Sequence, residues 1–166
     1  ATEPYYSILD ISKTSTTAGE VISKNTKIVQ GLGVSLTNLK GGLTAVPKCG
    51  GQDYWVLFTQ ATPANTYSRI VKLVATASGI TYHSADTVAN MNESSTLVVS
   101  PKGNMISVGR FLYSFSHATG ELELVEEDSS AFLSYSLSAS FSPSGRWLYR
   151  LEYLHDPGRS LYPQEH

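Results

Sequence analysis

The sequence predicts an all-β chain made of β-propeller blades, with about three to four four-stranded antiparallel units. Three observations lead to this prediction: a strand-favouring composition, a repeated turn motif, and glycine turns that recur beside it. Only 16% of the 166 residues are charged, whereas serine and threonine supply 23 and 15 residues and tyrosine supplies ten. Hydroxyl, β-branched and aromatic side chains favour turns and strands over helices.

The turn motif recurs in the second half of the chain. The pattern apolar-Ser-Pro-x-Gly-x-apolar-apolar has its serine at Ser100 and again at Ser142, 42 residues later. Proline presets φ for a turn and glycine supplies the positive φ that lets the chain return, so each copy predicts a hairpin. Turns at Gly19, Gly79 and Gly120 follow apolar strands at intervals of 60 and 41 residues. A period near 42 is typical of propeller blades, while a chance match within a β-sandwich is the alternative.

The individual strands follow from apolar runs bounded by turn residues. Residues 53–59 form the most apolar run and predict a strand buried on both faces. No segment shows a helical stripe longer than two turns. The predicted strands span residues 5–11, 21–29, 43–46, 53–59, 67–75, 80–83, 97–100, 105–108, 111–116, 121–126, 137–141 and 147–153.

These strands divide into blades. Residues 43–85 and 96–127 predict two full blades, residues 5–29 the last strands of another, and residues 134–153 the opening strands of a further one. Since 166 residues hold just under four 42-residue units, we expect either part of a longer propeller or one that closes by assembly of copies. A strictly monomeric full-length chain would favour a sandwich instead.

The domain organisation is simple. Residues 1–154 predict one propeller-like β domain, and residues 155–166, with two prolines and a glycine, predict a tail or loop. The longest predicted loops are residues 30–42 and 85–95, and we expect a partner to bind there because loops on a rigid scaffold carry contacts.

Known catalytic signatures are missing from the sequence. It contains no nucleophile elbow, no zinc-protease motif and no phosphate-binding loop, so we predict no catalytic, cofactor-binding or metal-ligating residue and no cofactor. The four histidines lack metal-ligand spacing, and His117 is expected to face solvent. The binding residues are not identified by the sequence.

Other single residues have structural interpretations. The lone cysteine, Cys49, is expected to be buried, and Trp55 and Trp147 are expected to pack between blades. The acidic run at residues 121–128 predicts a solvated outer strand. A net charge of −2 argues against a nucleic-acid partner, and no apolar run is long enough for a membrane-spanning helix.

Several motifs resemble a known family. The second Ser-Pro-x-Gly copy, from Phe141 to Tyr149, resembles the blade motif of WD40-like and lactonase-like bacterial propellers. The first half contains the sequences Tyr-Ser-Ile-Leu-Asp, Leu-Thr-Ala-Val and Asp-Tyr-Trp-Val. These look like the propeller region of large Bacteroidetes surface proteins associated with gliding motility and type IX secretion. Lys48-Cys49 departs from the histidine that often precedes the glycine turn in that family.

The resemblance implies a function and a location. It implies a non-enzymatic binding or scaffolding module that is extracellular, on the cell surface, or periplasmic. Its partner would be a protein or a glycan bound through blade loops, with self-assembly or the rest of a longer propeller as further contacts. The alternatives are a propeller enzyme of lactonase or glycan-lyase type, which needs converging carboxylates and histidines, and a carbohydrate-binding lectin that uses the tyrosine surplus.

Overall fold

The computed structural model describes residues 4–10, 20–28, 39–61, 67–89, 96–128 and 134–154. The predicted all-β class is confirmed, because these residues form strands and turns and contain no helix. The twelve strands are β1 (Tyr5–Asp10), β2 (Glu20–Lys27), β3 (Leu39–Pro47), β4 (Tyr54–Ala61), β5 (Tyr67–Thr76), β6 (Gly79–Ala89), β7 (Leu97–Val99), β8 (Met105–Val108), β9 (Phe111–Phe115), β10 (Leu122–Glu127), β11 (Ser134–Phe141) and β12 (Leu148–Leu154).

The strands form four antiparallel sheets in which each strand pairs with its neighbours in sequence. Strands β3–β6 and β7–β10 make two four-stranded sheets, while β1–β2 and β11–β12 make two-stranded sheets. Within the described residues, none of the sheets closes on itself. The four-strand grouping therefore matches the predicted units at residues 43–85 and 96–127, with two strands on either side of them in the sequence.

The repeated turn motif has the same backbone geometry in both copies. Gly103 and Gly145 have φ values of 74° and 72°, and each donates its amide to the serine carbonyl three residues earlier, at 2.8 Å. In each copy the serine Oγ also accepts the amide of the first residue after the turn, 3.1 Å from Met105 N and 3.1 Å from Trp147 N. The repeat is therefore structural, and it forms the first hairpin of the β7–β10 and β11–β12 sheets.

Strand β4 lies at the centre of the core. Residues 55–61 are buried along their whole length, which confirms the predicted burial on both faces for residues 55–59, whereas Tyr54 is exposed. Trp55 and Leu57 lie in the cluster shared with β7–β10, whereas Val56 and Phe58 lie in the cluster shared with β1–β2. The sheet β3–β6 is thus packed between two others.

The first strands of successive sheets lie beside each other. Strand β3 contacts β7, and β7 contacts β11. Near the beginning of β3, a β-carbon at Gly42 would lie 3.8 Å from the Leu97 carbonyl, and near its end Val46 lies against Gly103. Strands β3 and β7 therefore run in the same direction, so the second four-stranded unit repeats the orientation of the first.

Two predicted loops are wrong in part. Strand β3 begins at Leu39 and strand β6 continues to Ala89, so residues 39–42 and 85–89 are strand. Both segments are poor in large apolar side chains, but their backbones pair with β4 and β5. Residues 30–38, 90–95 and 155–166 lie outside the described residues.

Candidate functional site

Hairpin turns of successive sheets meet at one end of the molecule. A β-carbon at Gly103 would lie 2.7 Å from Val46 Cγ1, so the β7–β8 turn rests on the end of β3. A β-carbon at Gly145 would lie 3.5 Å from Pro101 Cδ, so the β11–β12 turn rests on the β7–β8 turn. Together these turns form a continuous row, which we call the turn end.

The β9–β10 turn joins this row through the carbonyl of His117. That carbonyl accepts a hydrogen bond from Trp55 Nε1 at 2.9 Å and another from the Cys49 amide at 3.2 Å. The His117 ring is half-buried, with its centroid 6.0 Å from that of Phe115, and its Nε2 is buried without a hydrogen-bond partner. The expectation that His117 faces solvent is therefore wrong for this nitrogen, because the turn folds back onto the neighbouring sheet.

Trp55 fills the interface between the two four-stranded sheets. Its side chain is fully buried, and a β-carbon at Gly120 would lie 2.7 Å from its ring. The ring also makes edge contacts with His83 and Phe115, with centroids 4.8 and 6.1 Å apart. Trp55 therefore packs between two sheets, and glycine is needed at position 120 both for space and for its φ of 76°.

The lone cysteine is exposed, so the expectation of a buried Cys49 is wrong. The residue lies in the β3–β4 turn, which is closed by a hydrogen bond from the Lys48 amide to the Asp53 carbonyl at 2.8 Å. The Lys48 ammonium lies 5.1 Å from the centroid of the Trp55 ring. The turn thus directs its thiol to the surface while its lysine covers the tryptophan.

A buried lysine connects three elements at the same interface. Lys72 on β5 is only 4% exposed. Its ammonium donates hydrogen bonds to the Asp86 carboxylate on β6 and, at 2.9 Å, to the carbonyl of Gly120 in the β9–β10 turn. Because a buried ammonium needs partners, this arrangement favours one relative position of the two sheets.

Tyr113 on β9 extends this polar region. Desolvation by burial, followed by the charges of Glu127 and Asp86, raises the pKa of Tyr113 to about 12. The phenol therefore stays protonated at neutral pH, where it can donate a hydrogen bond but cannot act as a base.

The acidic run forms the outer strand of its sheet, as predicted. Glu123, Glu126 and Glu127 on β10 are exposed, while Leu122 packs against the core. Glu127 pairs with Arg110 at 2.8 Å. The run is therefore a solvated strand face with two of its carboxylates in ion pairs, since Asp128 also lies 3.5 Å from Arg150.

Two apolar surfaces face solvent at the ends of the series of sheets. On β11–β12, Trp147 is 58% exposed, and Tyr149 and Leu151 are each 62% exposed. On β1–β2, Leu9 and Val21 lie opposite each other in register and are both exposed. The expected packing of Trp147 between blades is wrong for the single chain, because no sheet covers that face of β12 in the described part of the structure.

The structure describes few groups suited to metal chemistry. Among the described residues, no cluster of three or more histidine, cysteine, aspartate or glutamate side chains is placed to hold a metal ion. No helix long and apolar enough to cross a membrane occurs in the described ranges. The described residues instead build rigid sheets, a turn end and two exposed apolar faces.

The chain has no significant match among protein-family models, curated proteins or solved structures. The class shown by the fold is therefore an all-β protein of sequential antiparallel sheets. The resemblance to Bacteroidetes surface propellers stays a prediction.

Proposed function

We propose that the chain is a non-enzymatic binding or scaffolding β-propeller module of an exported or cell-surface bacterial protein. The observation that carries the proposal is the repeated turn, whose two copies have the same backbone hydrogen bonds and glycine conformation in successive sheets. Repetition of this kind is expected of blades arranged around an axis.

Three features of the sheets support the propeller. Both four-stranded sheets have their strands in the order of the sequence, β3-β4-β5-β6 in one and β7-β8-β9-β10 in the other. Their faces share one apolar cluster, so they pack face to face. Their first strands lie side by side and in the same direction, as inner strands around a central channel do.

The binding role rests on the rigidity of this scaffold. Strand β4 is covered on both faces, and the ion pair of Lys72 with Asp86 joins β5 to β6 beneath the neighbouring turn. A rigid scaffold presents its loops at low entropic cost to a partner. Strands β6 and β10 end at Ala89 and Glu127, at the end of their sheets away from the β5–β6 and β9–β10 turns, and we assign protein or glycan contacts to that opposite end.

An exported location fits the composition and the resemblance together. Serine and threonine dominate the polar residues, whereas lysine and arginine together number only 12. The proposed partner is a protein or glycan and not a nucleic acid, because the net charge is −2 and nucleic-acid binding needs a basic surface.

The non-enzymatic part of the proposal is tested by turnover and binding measured together. The purified chain is incubated with a panel of lactones and polysaccharides, with and without a chelator, and is applied to a glycan array. We expect no turnover. Turnover that the chelator abolishes would contradict the binding-module proposal and favour a metal-dependent propeller enzyme. Glycan binding without turnover would identify the partner class as carbohydrate.

A further inference from the structure

The two short sheets are each half of the four-stranded unit. Strand β12 pairs only with β11, and β1 pairs only with β2, so each of these sheets has open edges in the described structure. Open edges present unpaired amides and carbonyls that readily accept another strand. The two short sheets correspond to opposite halves of a four-stranded sheet, as their positions in the fold show.

The sheet β11–β12 has the position of a first and second strand. Strand β11 contacts β7, as β7 contacts β3. The β11–β12 turn also carries the same motif as the β7–β8 turn, with a matching bond from Gly145 N to Ser142 O. The described residues supply no third or fourth strand to this sheet beyond β12.

The sheet β1–β2 has the position of a third and fourth strand. It covers the half of the β3–β6 sheet that contains β5 and β6, where Tyr6 lies against Gly79 in the β5–β6 turn. The half of the same face nearer β3 is open, since Leu43 is 72% exposed and Tyr54 is also exposed. The described residues supply no first or second strand to this sheet before β1, and the side chains of such strands would cover that open half.

We propose that a second copy of this chain supplies both missing halves. Strand β12 of one copy pairs antiparallel with β1 of the other, which makes a composite sheet in the order β11-β12-β1-β2. The same pairing forms again on the other side of the dimer. The ring therefore closes at two junctions between β12 of one copy and β1 of the other, which we call seams. This inference rests on the proposed propeller.

The numbers of strands fit this closure. The twelve strands in the described residues of one copy make three sheets of four, and two copies therefore make six. Closed propellers carry four to eight blades, a range that includes six but not three. A ring of three within one chain would also need β1 and β12 to pair, whereas in the described residues β1 pairs only with β2 and β12 only with β11.

The exposed side chains also fit the seam. In the composite sheet, the face of β12 that carries Trp147, Tyr149 and Leu151 turns towards Leu43 and Tyr54 of the second copy. Both surfaces are apolar and exposed in the single chain. Closing the ring removes both from water together, which provides the driving force.

The first test is the solution mass. Sedimentation equilibrium of the whole chain over a wide concentration range should give twice the 18.0 kDa of one chain. The double variants Tyr149→Lys/Leu151→Lys and Leu9→Lys/Val21→Lys should each be monomeric. Their far-ultraviolet circular dichroism spectra should match that of the wild type, because these residues are exposed in the single chain.

The matched control is Leu124→Lys. Leu124 is exposed to a similar degree, but it pairs in register with Tyr113 and so lies on the face turned away from the seam. This variant should remain a dimer. If Leu124→Lys dissociates the dimer as fully as the seam variants do, the proposed location of the interface is overturned.

Mixing the two seam variants gives the sharper test. Each variant alone damages both seams of its dimer, whereas a mixed dimer has one seam with native β12 and native β1. The mixture should therefore regain dimer while neither variant alone does. A two-fold interface elsewhere on the chain would show no such recovery, and that result would overturn the inference.

The inference and the proposed function fail in different ways. A wild-type chain that is monomeric at every concentration, or that forms a trimer, overturns closure by a second copy. If small-angle scattering of such a monomer still fits an arc of face-to-face sheets, the propeller proposal survives. Scattering that fits a two-layer sandwich would overturn the propeller as well.

Discussion

The two copies of the Ser-Pro-x-Gly turn are alike in their backbone and different in their surroundings. Ser100 and Ser142 make the same backbone hydrogen bonds and accept the same amide at Oγ, and the glycines of the two turns differ by only 2° in φ. Their hydroxyls differ only in the neighbouring side chain, which is Asn104 in the first copy and Ser144 in the second. Yet Met105, directly after the first turn, is half-buried and is followed by the fully buried Ile106, whereas Trp147, at the position equivalent to Met105, is 58% exposed. The motif therefore encodes the turn locally, while a neighbouring sheet decides whether the next apolar side chain is buried.

The largest expected difference between the copies is in their apolar residues. Ile106→Ala should lower the free energy of unfolding by about 3 kcal/mol, since it opens a cavity between two sheets. Trp147→Ala should cost less than about 1 kcal/mol in dilute protein, because its side chain is largely in water. Urea melts of the two variants measure this difference, and equal losses at low concentration would contradict the observed burial.

The same two substitutions should also differ in how their cost in unfolding free energy depends on protein concentration. If a second copy covers Trp147, the cost of Trp147→Ala should rise with protein concentration, because association stabilises only the folded chain that retains the contact. The cost of Ile106→Ala should change little, since Ile106 lies inside one chain.

The turn glycines give the next largest difference. Gly103→Ala should cost about 3 kcal/mol, because it combines a left-handed φ with an overlap against Val46 and the His117 ring. Gly145→Ala should cost about 1 kcal/mol, because it has a similar φ but ordinary contact with Pro101. Thermal melts compare them, and a larger loss for Gly145→Ala would show that the neighbours of the two turns are misassigned.

The turn serines should behave alike. Ser100→Ala and Ser142→Ala each remove the bond to the amide five residues later and should each cost about 1.5 kcal/mol. Ser→Thr at the same positions keeps the oxygen and serves as the control. Unequal losses beyond about 0.5 kcal/mol would mean that the turns are not equivalent.

The smallest expected effect is a pH dependence of the free energy of unfolding. It arises from Tyr113 at the interface between the two four-stranded sheets, beside the first copy of the turn. Burial raises the pKa of Tyr113 to about 12, above its usual 10. The protonated phenol is favoured in the folded chain, so its contribution is complete below pH 10 and is lost as the pH rises towards 12. Stability should fall by about 1 kcal/mol more between pH 9 and pH 11 in the wild type than in Tyr113→Phe. Parallel pH profiles of the two proteins would contradict this.

Local signals in the sequence were sufficient for some of these features and not for others. The hairpins at Gly103 and Gly145 were predictable because proline and glycine act on their own backbone. The role of the serine hydroxyl was missed, although its recurrence five residues before an apolar position was the available signal. The exposure of Cys49 was missed because a turn position, not hydrophobicity, decides it.

Long-range partners could not be predicted from the sequence. Lys72 is buried because its partners are Asp86, 14 residues away, and the Gly120 carbonyl, 48 residues away. Strand β6 extends through polar residues because β5 pairs with it throughout. The exposure of Trp147 depends on whether another sheet is present, and no pattern around position 147 carries that information.

The most direct test is to observe the neighbour of β12. Isotope-filtered nuclear Overhauser spectra of a mixed sample, with one copy labelled and the other unlabelled, report contacts between copies only. Closure by a second copy predicts contacts from Arg150 and Leu151 of β12 in one copy to β1, between Tyr5 and Leu9, in the other. Contacts between Trp147 of one copy and Trp147 of the other, or no contact between copies in a sample that sediments as a dimer, would contradict it.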